Sequence, residues 1–214
     1  MSCALCATRK PRRFCPAAPG DICTVCCATA REQTLDCPVN CEYLLEAHRH
    51  EKRVGLAENS IPNQDIKVSE SFLRDNEGVF IALLLSIADV ARQDPAVNDW
   101  DAREALDGLI RTWRTLESGL YYESIPINPR AREIFAAVKA RVAGLREREK
   151  KARGISTLRD ATVLGVLVFL ERMERVHNNG RRRSRSFVAS LCEFGPGGRE
   201  SGDSIEQPAP RLIL

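Results

Sequence analysis

Cys3, Cys6, Cys15, Cys23, Cys26, Cys27, Cys37 and Cys41 are eight of the nine cysteines in the chain. They fall as Cys3-Ala-Leu-Cys6, Cys23-Thr-Val-Cys26-Cys27 and Cys37-Pro-Val-Asn-Cys41. Two Cys-x2-Cys pairs and a Cys-x3-Cys pair within about forty residues is metal-ligand spacing. Eight thiolates divide into two four-sulfur zinc sites with none left over. A disulfide framework is the rival chemistry. No basic lead, apolar stretch and small-residue cleavage site stands before the cluster, so thiols in a reducing cytoplasm are expected. The Cys-x2-Cys-x2-Cys run of bacterial ferredoxins is absent, which places an iron–sulfur cluster behind zinc. A four-thiolate site is coordinatively closed, so the expected role of both ions is structural rather than catalytic. Such sites supply about 10–16 kcal/mol each, more than so small a core can provide.

Local elements must aim these sulfurs. Arg12 to Cys15 and Asp21 to Cys23 flank Pro16 to Gly20 and read as two short strands joined by a Pro/Gly turn. Thr24 to Gln33 reads as a short helix. Cys26 and Cys27 are adjacent and do not easily reach one metal together. The spacing therefore favours Cys3, Cys6, Cys23 and Cys26 as one set, and Cys15, Cys27, Cys37 and Cys41 as the other, without fixing the pairing. Pro38 suits the first position of an exit helix, which would put Cys41 one turn beyond Cys37. Helix N-termini also favour thiolate.

With its alternating ligand pairs, this pattern resembles the cross-braced zinc fingers of the RING, MYND and HIT types, and a treble clef. It departs from them in the Cys26-Cys27 doublet and in lacking an obligatory histidine ligand. Over most of its length the chain also resembles an uncharacterised bacterial family. The motifs that carry this are Cys-x2-Cys, Arg-Arg-Phe-Cys-Pro, Ile-Cys-x2-Cys-Cys and Cys-Pro-x2-Cys-x-Tyr-Leu, then Leu120 to Glu123 and Asn178 to Arg181. The resemblance implies a metal-binding N-terminal module and a C-terminal helical domain. It implies no activity.

The formal charge of +3 suggests a basic protein, but eight thiolates carry −8 and two zinc ions +4, leaving −1. Only two local clusters remain to attract nucleic acid: Arg9-Lys10-Pro11-Arg12-Arg13 and Arg181-Arg182-Arg183-Ser184-Arg185. For Arg9 to Arg13 the plainer expectation is hydrogen bonding to thiolate sulfur. The longest apolar run, Val79 to Val90, is about half of what a bilayer requires, so no membrane span is expected.

The remainder reads as helical by periodicity. Asp75 or Asn76 can cap a first helix running to about Arg92. Asp101 with Glu104 starts a second, which ends at Gly119. Asn128-Pro129 starts a third, which ends at Gly154. Thr157 with Asp160 starts a fourth, which ends at Asn178-Asn179-Gly180, and Ser184 or Ser186 caps a short fifth through Phe194. Short connections imply antiparallel neighbours, with the most apolar first and fourth helices at the centre. The expected architecture is mainly α: a small two-zinc treble-clef-like finger (1–54), a linker (55–68), an all-α bundle of four to five helices (69–194) and a tail (195–214).

Outside the cysteines the chemistry is thin. Tyr121, Tyr122 and Glu123 are an aromatic pair and a carboxylate on a predicted loop. They serve either to close the end of the bundle or to line a pocket. His48 and His50 are two apart on a predicted helix and face different ways, and Cys192 sits among apolar residues as a core thiol. There is no nucleophile–base pair, HExxH, phosphate loop or paired carboxylate, so no feature supports catalysis. The reading is a cytoplasmic zinc-binding scaffold that recognises a protein partner through finger and bundle. Its alternatives are RNA or DNA binding through Arg9 to Arg13 and Arg181, Arg182, Arg183 and Arg185, and an enzyme with a pocket near Tyr121 to Glu123.

Overall fold

The computed structural model describes residues 2–51 and 61–194. Residues 52–60 and 195–214, which include the first part of the expected linker (55–60) and the tail, lie outside the described residues. Among the described residues the chain is mainly helical, with eight helices and one two-stranded sheet.

The N-terminal part runs knuckle, hairpin, helix. β1 (Arg13–Cys15) and β2 (Gly20–Ile22) pair antiparallel, with Phe14 opposite Asp21. α1 (Thr24–Ala30) starts at Cys23, whose sulfur accepts the N–H of Cys26 at 3.4 Å in the place usually taken by an N-cap oxygen. α2 (Glu42–His50) begins later than Pro38 would suggest. Pro38 to Cys41 is a turn closed by the Cys41 N–H on the Pro38 carbonyl (3.0 Å), and Cys41 itself takes the N-cap position. Ile22, Leu35 and Leu44 form a small core with the buried cysteines.

The helical body comprises α3 (Glu70–Asp75), α4 (Glu77–Gln93), α5 (Asp99–Glu117), α6 (Pro129–Arg153), α7 (Asp160–His177) and α8 (Ser186–Glu193). α6 begins and ends where its sequence signals place it. Asn128 accepts the Arg130 N–H (3.0 Å), Pro129 opens the helix, and Gly154 closes it at φ 80°. α5 starts earlier than expected, because Asn98 and Asp101 form the capping box rather than Asp101 and Glu104. α7 starts later, at Asp160. The N–H groups of Thr157 and Leu158 are taken by the Glu149 carboxylate of α6 (2.8 and 3.1 Å), which holds that stretch out of the helix.

Two features of the packing differ from a simple antiparallel bundle. α4 runs antiparallel to α6 (Arg130 on Asp94, Arg141 on Asp89), and α7 antiparallel to α5 (Arg103 on Glu174). α5 and α6, however, run in the same direction. The segment between them, residues 120–128, returns extended along α5. Tyr122 accepts from the Thr115 hydroxyl through its carbonyl (3.1 Å), the Ser124 N–H meets the Thr112 hydroxyl (3.0 Å), and Asn128 reaches Asp101 (2.5 Å). Gly108 permits this, because a Cβ there would lie 2.5 Å from the Ser124 carbonyl oxygen. The central helix is α5, packed on both α6 and α7, rather than the more apolar α4 and α7. Its Ala102, Ala105 and Gly108 let the neighbouring elements approach closely.

Candidate metal centre

Hairpin and α1 bring Cys3, Cys6, Cys23 and Cys26 together. Their four sulfurs lie within 4.8 Å of one another, so they can hold a metal ion such as zinc. The knuckle that presents Cys3 and Cys6 turns through Ala7, at φ 55°, with its N–H on the Cys3 carbonyl (2.8 Å). The Cys23 N–H donates to the Cys3 sulfur at 3.2 Å. Crowding drives the thiols apart electrostatically. The Thr8 hydroxyl and the Arg9 and Thr8 N–H groups pull Cys6 down to about 5. The Cys23 sulfur, burial, and then Cys6 and Cys3 push Cys26 up to about 12. A divalent ion removes that conflict by making all four sulfurs thiolate ligands.

The other four cysteines converge less tightly. Cys15, Cys27, Cys37 and Cys41 surround an apolar cavity of about 20 Å³, together with Leu35 and Leu44. That volume suits a single small occupant. Burial pushes the Cys15 thiol up and raises Cys37 to about 11, opposed at Cys37 by the Glu32 backbone N–H. Two guanidinium groups address the Cys27 sulfur, Arg13 at 3.7 Å and Arg31 at 3.6 Å. Arg13 also stacks on Tyr43 at 4.3 Å. Arg9 faces the first set, its guanidinium favoured by the nearby Cys23 and Cys6 sulfurs. Thus Arg9 and Arg13 attend the sulfurs. Among the described residues, the side chains of Lys10 and Arg12 have no hydrogen-bond or ion-pair partner.

Behind the second quartet lies a joint that the sequence did not announce. Glu32 is fully buried and sits at φ 53°, a left-handed conformation that costs a non-glycine residue about 1–3 kcal/mol. Its carboxylate accepts from the backbone N–H of Arg185 (2.6 Å), the amide of Asn179 (2.8 Å) and His48 Nε2 (3.1 Å). Its carbonyl accepts from the Arg183 N–H at 2.7 Å. Burial works against ionisation of this carboxyl, but His48, Arg185 and Asn179 outweigh it and hold it below the ordinary range. Glu32, His48 and Glu51 also offer ligand atoms within 4.8 Å of one another. Protein donors already meet both carboxylates, since Asn179 bridges them and Arg181 stands 3.5 Å from Glu51. His50 pairs instead with Glu46, so neither histidine faces a cysteine.

The same joint absorbs most of the second arginine cluster. Arg181 donates to the Arg31 carbonyl (3.1 Å), and Arg183 to the Thr34 carbonyl (2.9 Å) and the Asp36 carboxylate (2.8 Å). Arg185 is 1% exposed, and its guanidinium is held by the carbonyls of Cys37, Pro95 and Ala91. Two of those carbonyls lie at the C-terminal end of α4, where a cation is favoured. Burial lowers the Arg185 pKa. As a partner site the cluster is therefore corrected: Arg185 is inaccessible, and Arg181 and Arg183 are engaged. Arg182 alone is exposed and, among the described residues, without a side-chain partner.

Tyr121 and Tyr122 project into solvent. They stand 73% and 67% exposed, and Leu120, Ile125 and Ile127 are also exposed on the same extended segment. Glu123 is engaged by the Tyr121 hydroxyl and by Lys139, which hold its carboxyl below the usual range, Lys139 more strongly. Cys192 is half-buried, its thiol 3.8 Å from the Ala88 carbonyl.

In comparison with known proteins, no family model matches the chain, nor does any curated protein or solved structure. The family resemblance in the sequence is thus carried by its motif residues alone. No helix among the described residues is long and apolar enough to cross a membrane.

Proposed function

We propose that the protein is a non-enzymatic scaffold in which zinc holds a cysteine-rich, treble-clef-like finger against a helical body, and the body presents a surface to a protein partner. Two zinc ions are assigned, one to Cys3, Cys6, Cys23 and Cys26, the other to Cys15, Cys27, Cys37 and Cys41, both structural and fully ligated by sulfur. The observation that carries the partner reading is the extended segment 120–127. Leu120, Tyr121, Tyr122, Ile125 and Ile127 are 53–88% exposed along one continuous stretch. Large apolar side chains gathered in this way mark interaction surfaces, and tyrosine is among the residues enriched in them. A pull-down from native lysate tests this, using wild type and a Tyr121→Ser, Ile125→Ser, Ile127→Ser variant, each with and without nuclease. A protein retained after nuclease and lost with the variant supports the reading. Retention by both chains, or loss on nuclease treatment, removes it.

Nucleic acid is the second reading, and one place favours it. Arg12 lies two residues before Phe14, which is 70% exposed on β1, and Lys10 and Arg12 lack partners among the described residues. An exposed ring beside free cations suits a stacked single strand. Binding through phosphates would fall steeply as salt rises, and binding through the apolar segment would not.

A further inference from the structure

We infer that an ion held by Cys15, Cys27, Cys37 and Cys41 governs whether the finger stays docked on the helical body, acting through the Arg31 to Cys37 loop. The inference rests on the two-ion reading above and adds a regulatory role to the second site.

The loop is anchored at both ends by ligands of that site, Cys27 before it and Cys37 after it. Its residues face the sulfurs on one side and the body on the other. Arg31 donates to the Cys27 sulfur at 3.6 Å, and its carbonyl receives Arg181 at 3.1 Å. Glu32, next in the loop, is close enough for its backbone N–H to favour the Cys37 thiolate, and it turns its carboxylate and carbonyl to Asn179, Arg183 and Arg185. Cys37 offers its sulfur to the cavity and its carbonyl to Arg185 at 3.0 Å. Each of these contacts with the body is thus made by a residue that also touches, or is, a sulfur ligand.

Glu32 makes the coupling sharp. Its left-handed backbone is unfavourable alone and persists only where the surroundings over-determine it. Drawing four sulfurs onto one ion fixes both ends of the loop and so keeps the Glu32 carboxylate in register with residues more than 140 positions away. Without that ion, nothing binds the loop ends to a common point. Linkage then requires the reciprocal effect: docking tightens the hold on the ion.

Hydrogen exchange on the full-length zinc-loaded protein tests this, read at the amides of Arg183 and Arg185, whose partners are both on Glu32, with metal content measured on the same samples. Cys15→Ser removes a ligand that lies on β1, outside the loop, and makes no hydrogen bond to Glu32; Cys6→Ser removes one from the first quartet. The expectation is one ion per chain in each, with exchange at Arg183 and Arg185 at least tenfold faster in Cys15→Ser. In Cys6→Ser those amides should match wild type, and α6 should stay protected in both. One ion in Cys15→Ser with unchanged protection at Arg183 and Arg185 overturns the coupling while leaving the two-ion reading intact. An unchanged metal content in Cys15→Ser overturns both. If Cys15→Ser does not fold, Glu32→Gln, which keeps every ligand, decides the matter. Zinc release to a chelator should then show one of two phases accelerated several-fold, and two unchanged phases overturn the proposal.

Discussion

The carboxylate of Glu32 accepts a hydrogen bond from the backbone N–H of Arg185 at 2.6 Å, across 153 residues of chain. The bond joins a turn of the cysteine-rich N-terminal part to the start of the last helix, and both residues are fully buried. It reassigns the arginine-rich segment after α7 from a binding surface to a structural seam. A separable finger on an independent bundle is therefore too loose a description. Val39, from the finger, packs against the core of the body as well.

The arginines of that segment should separate by position. Arg185→Ala leaves the carbonyls of Cys37, Pro95 and Ala91 without a donor. At about 1–3 kcal/mol for each buried group left unsatisfied, a loss of at least about 3 kcal/mol is expected. Arg183→Ala should cost about 1 kcal/mol, the ordinary net worth of a hydrogen bond. Arg182→Ala should stay within about 0.5 kcal/mol, as for surface changes. Urea midpoints rank the three, and an Arg185→Ala effect as small as that of Arg182→Ala would contradict the seam.

Asp99 gives the body a defined pH response. Its carboxylate accepts the Ser184 hydroxyl (2.5 Å) and the N–H groups of Phe187 and Val188 (3.1 and 3.0 Å), so α5 supplies the cap of α8. Burial outweighs these donors and raises the carboxyl from 3.8 to about 6. A carboxyl raised in the folded state stabilises fully below its unfolded value and loses that contribution as pH climbs through the folded one. The loss is on the order of 3 kcal/mol for about two units. Asp99→Asn does not titrate, so the stability gap between wild type and variant should narrow from pH 4.5 to pH 7.5. Paired denaturation curves at those two pH values measure it, and a gap that widens would show the wrong sign.

Two helical glycines make a matched pair. Gly108→Ala places a methyl 2.5 Å from the Ser124 carbonyl, so the return segment must shift. A cost of about 1–3 kcal/mol follows, as for overpacking elsewhere. Gly144→Ala meets nothing within 4 Å and should stabilise α6 by about 0.5–1 kcal/mol through helix propensity. Opposite shifts in thermal midpoint are expected. Equal shifts would mean that the segment does not lie against α5.

The body should begin before Ile66. Arg172 donates to the carbonyls of Pro62, Asn63 and Ile66, and Asn63 bridges the buried Glu171 and Arg114. A fragment of residues 61–194 is expected to melt at least about 3 °C above one of residues 66–194, the shift that about 1 kcal/mol produces at this size. Circular dichroism on both fragments checks this, and identical midpoints would place the start of the body after Asp65, nearer the residue 69 expected from the amino-acid pattern.

The sequence by itself determined the clustering of cysteines that can hold a metal, the hairpin between them, and the helices whose boundaries are set locally. Cys-x2-Cys spacing, the Asn128-Pro129 start and the Gly154 stop each act within a few residues, so they can be read without knowing the fold. The tertiary structure alone decided what Glu32, Asn179, Asp99 and Arg185 do. A glutamate in a polar turn, an asparagine after a helix and an arginine in a basic run look ordinary, and each is also compatible with a solvated surface. The partners that fix these roles (Arg185 and Asn179 for Glu32, Ser184 for Asp99, Cys37 for Arg185) lie 85–153 residues away. The same holds for the direction of α6. The length of the preceding segment allowed either orientation, and a missing side chain at Gly108, together with Thr112 and Thr115, selected the extended return along α5. Side-chain burial and hydrogen-bond satisfaction are properties of the packed molecule, so these roles had no signature in the order of residues.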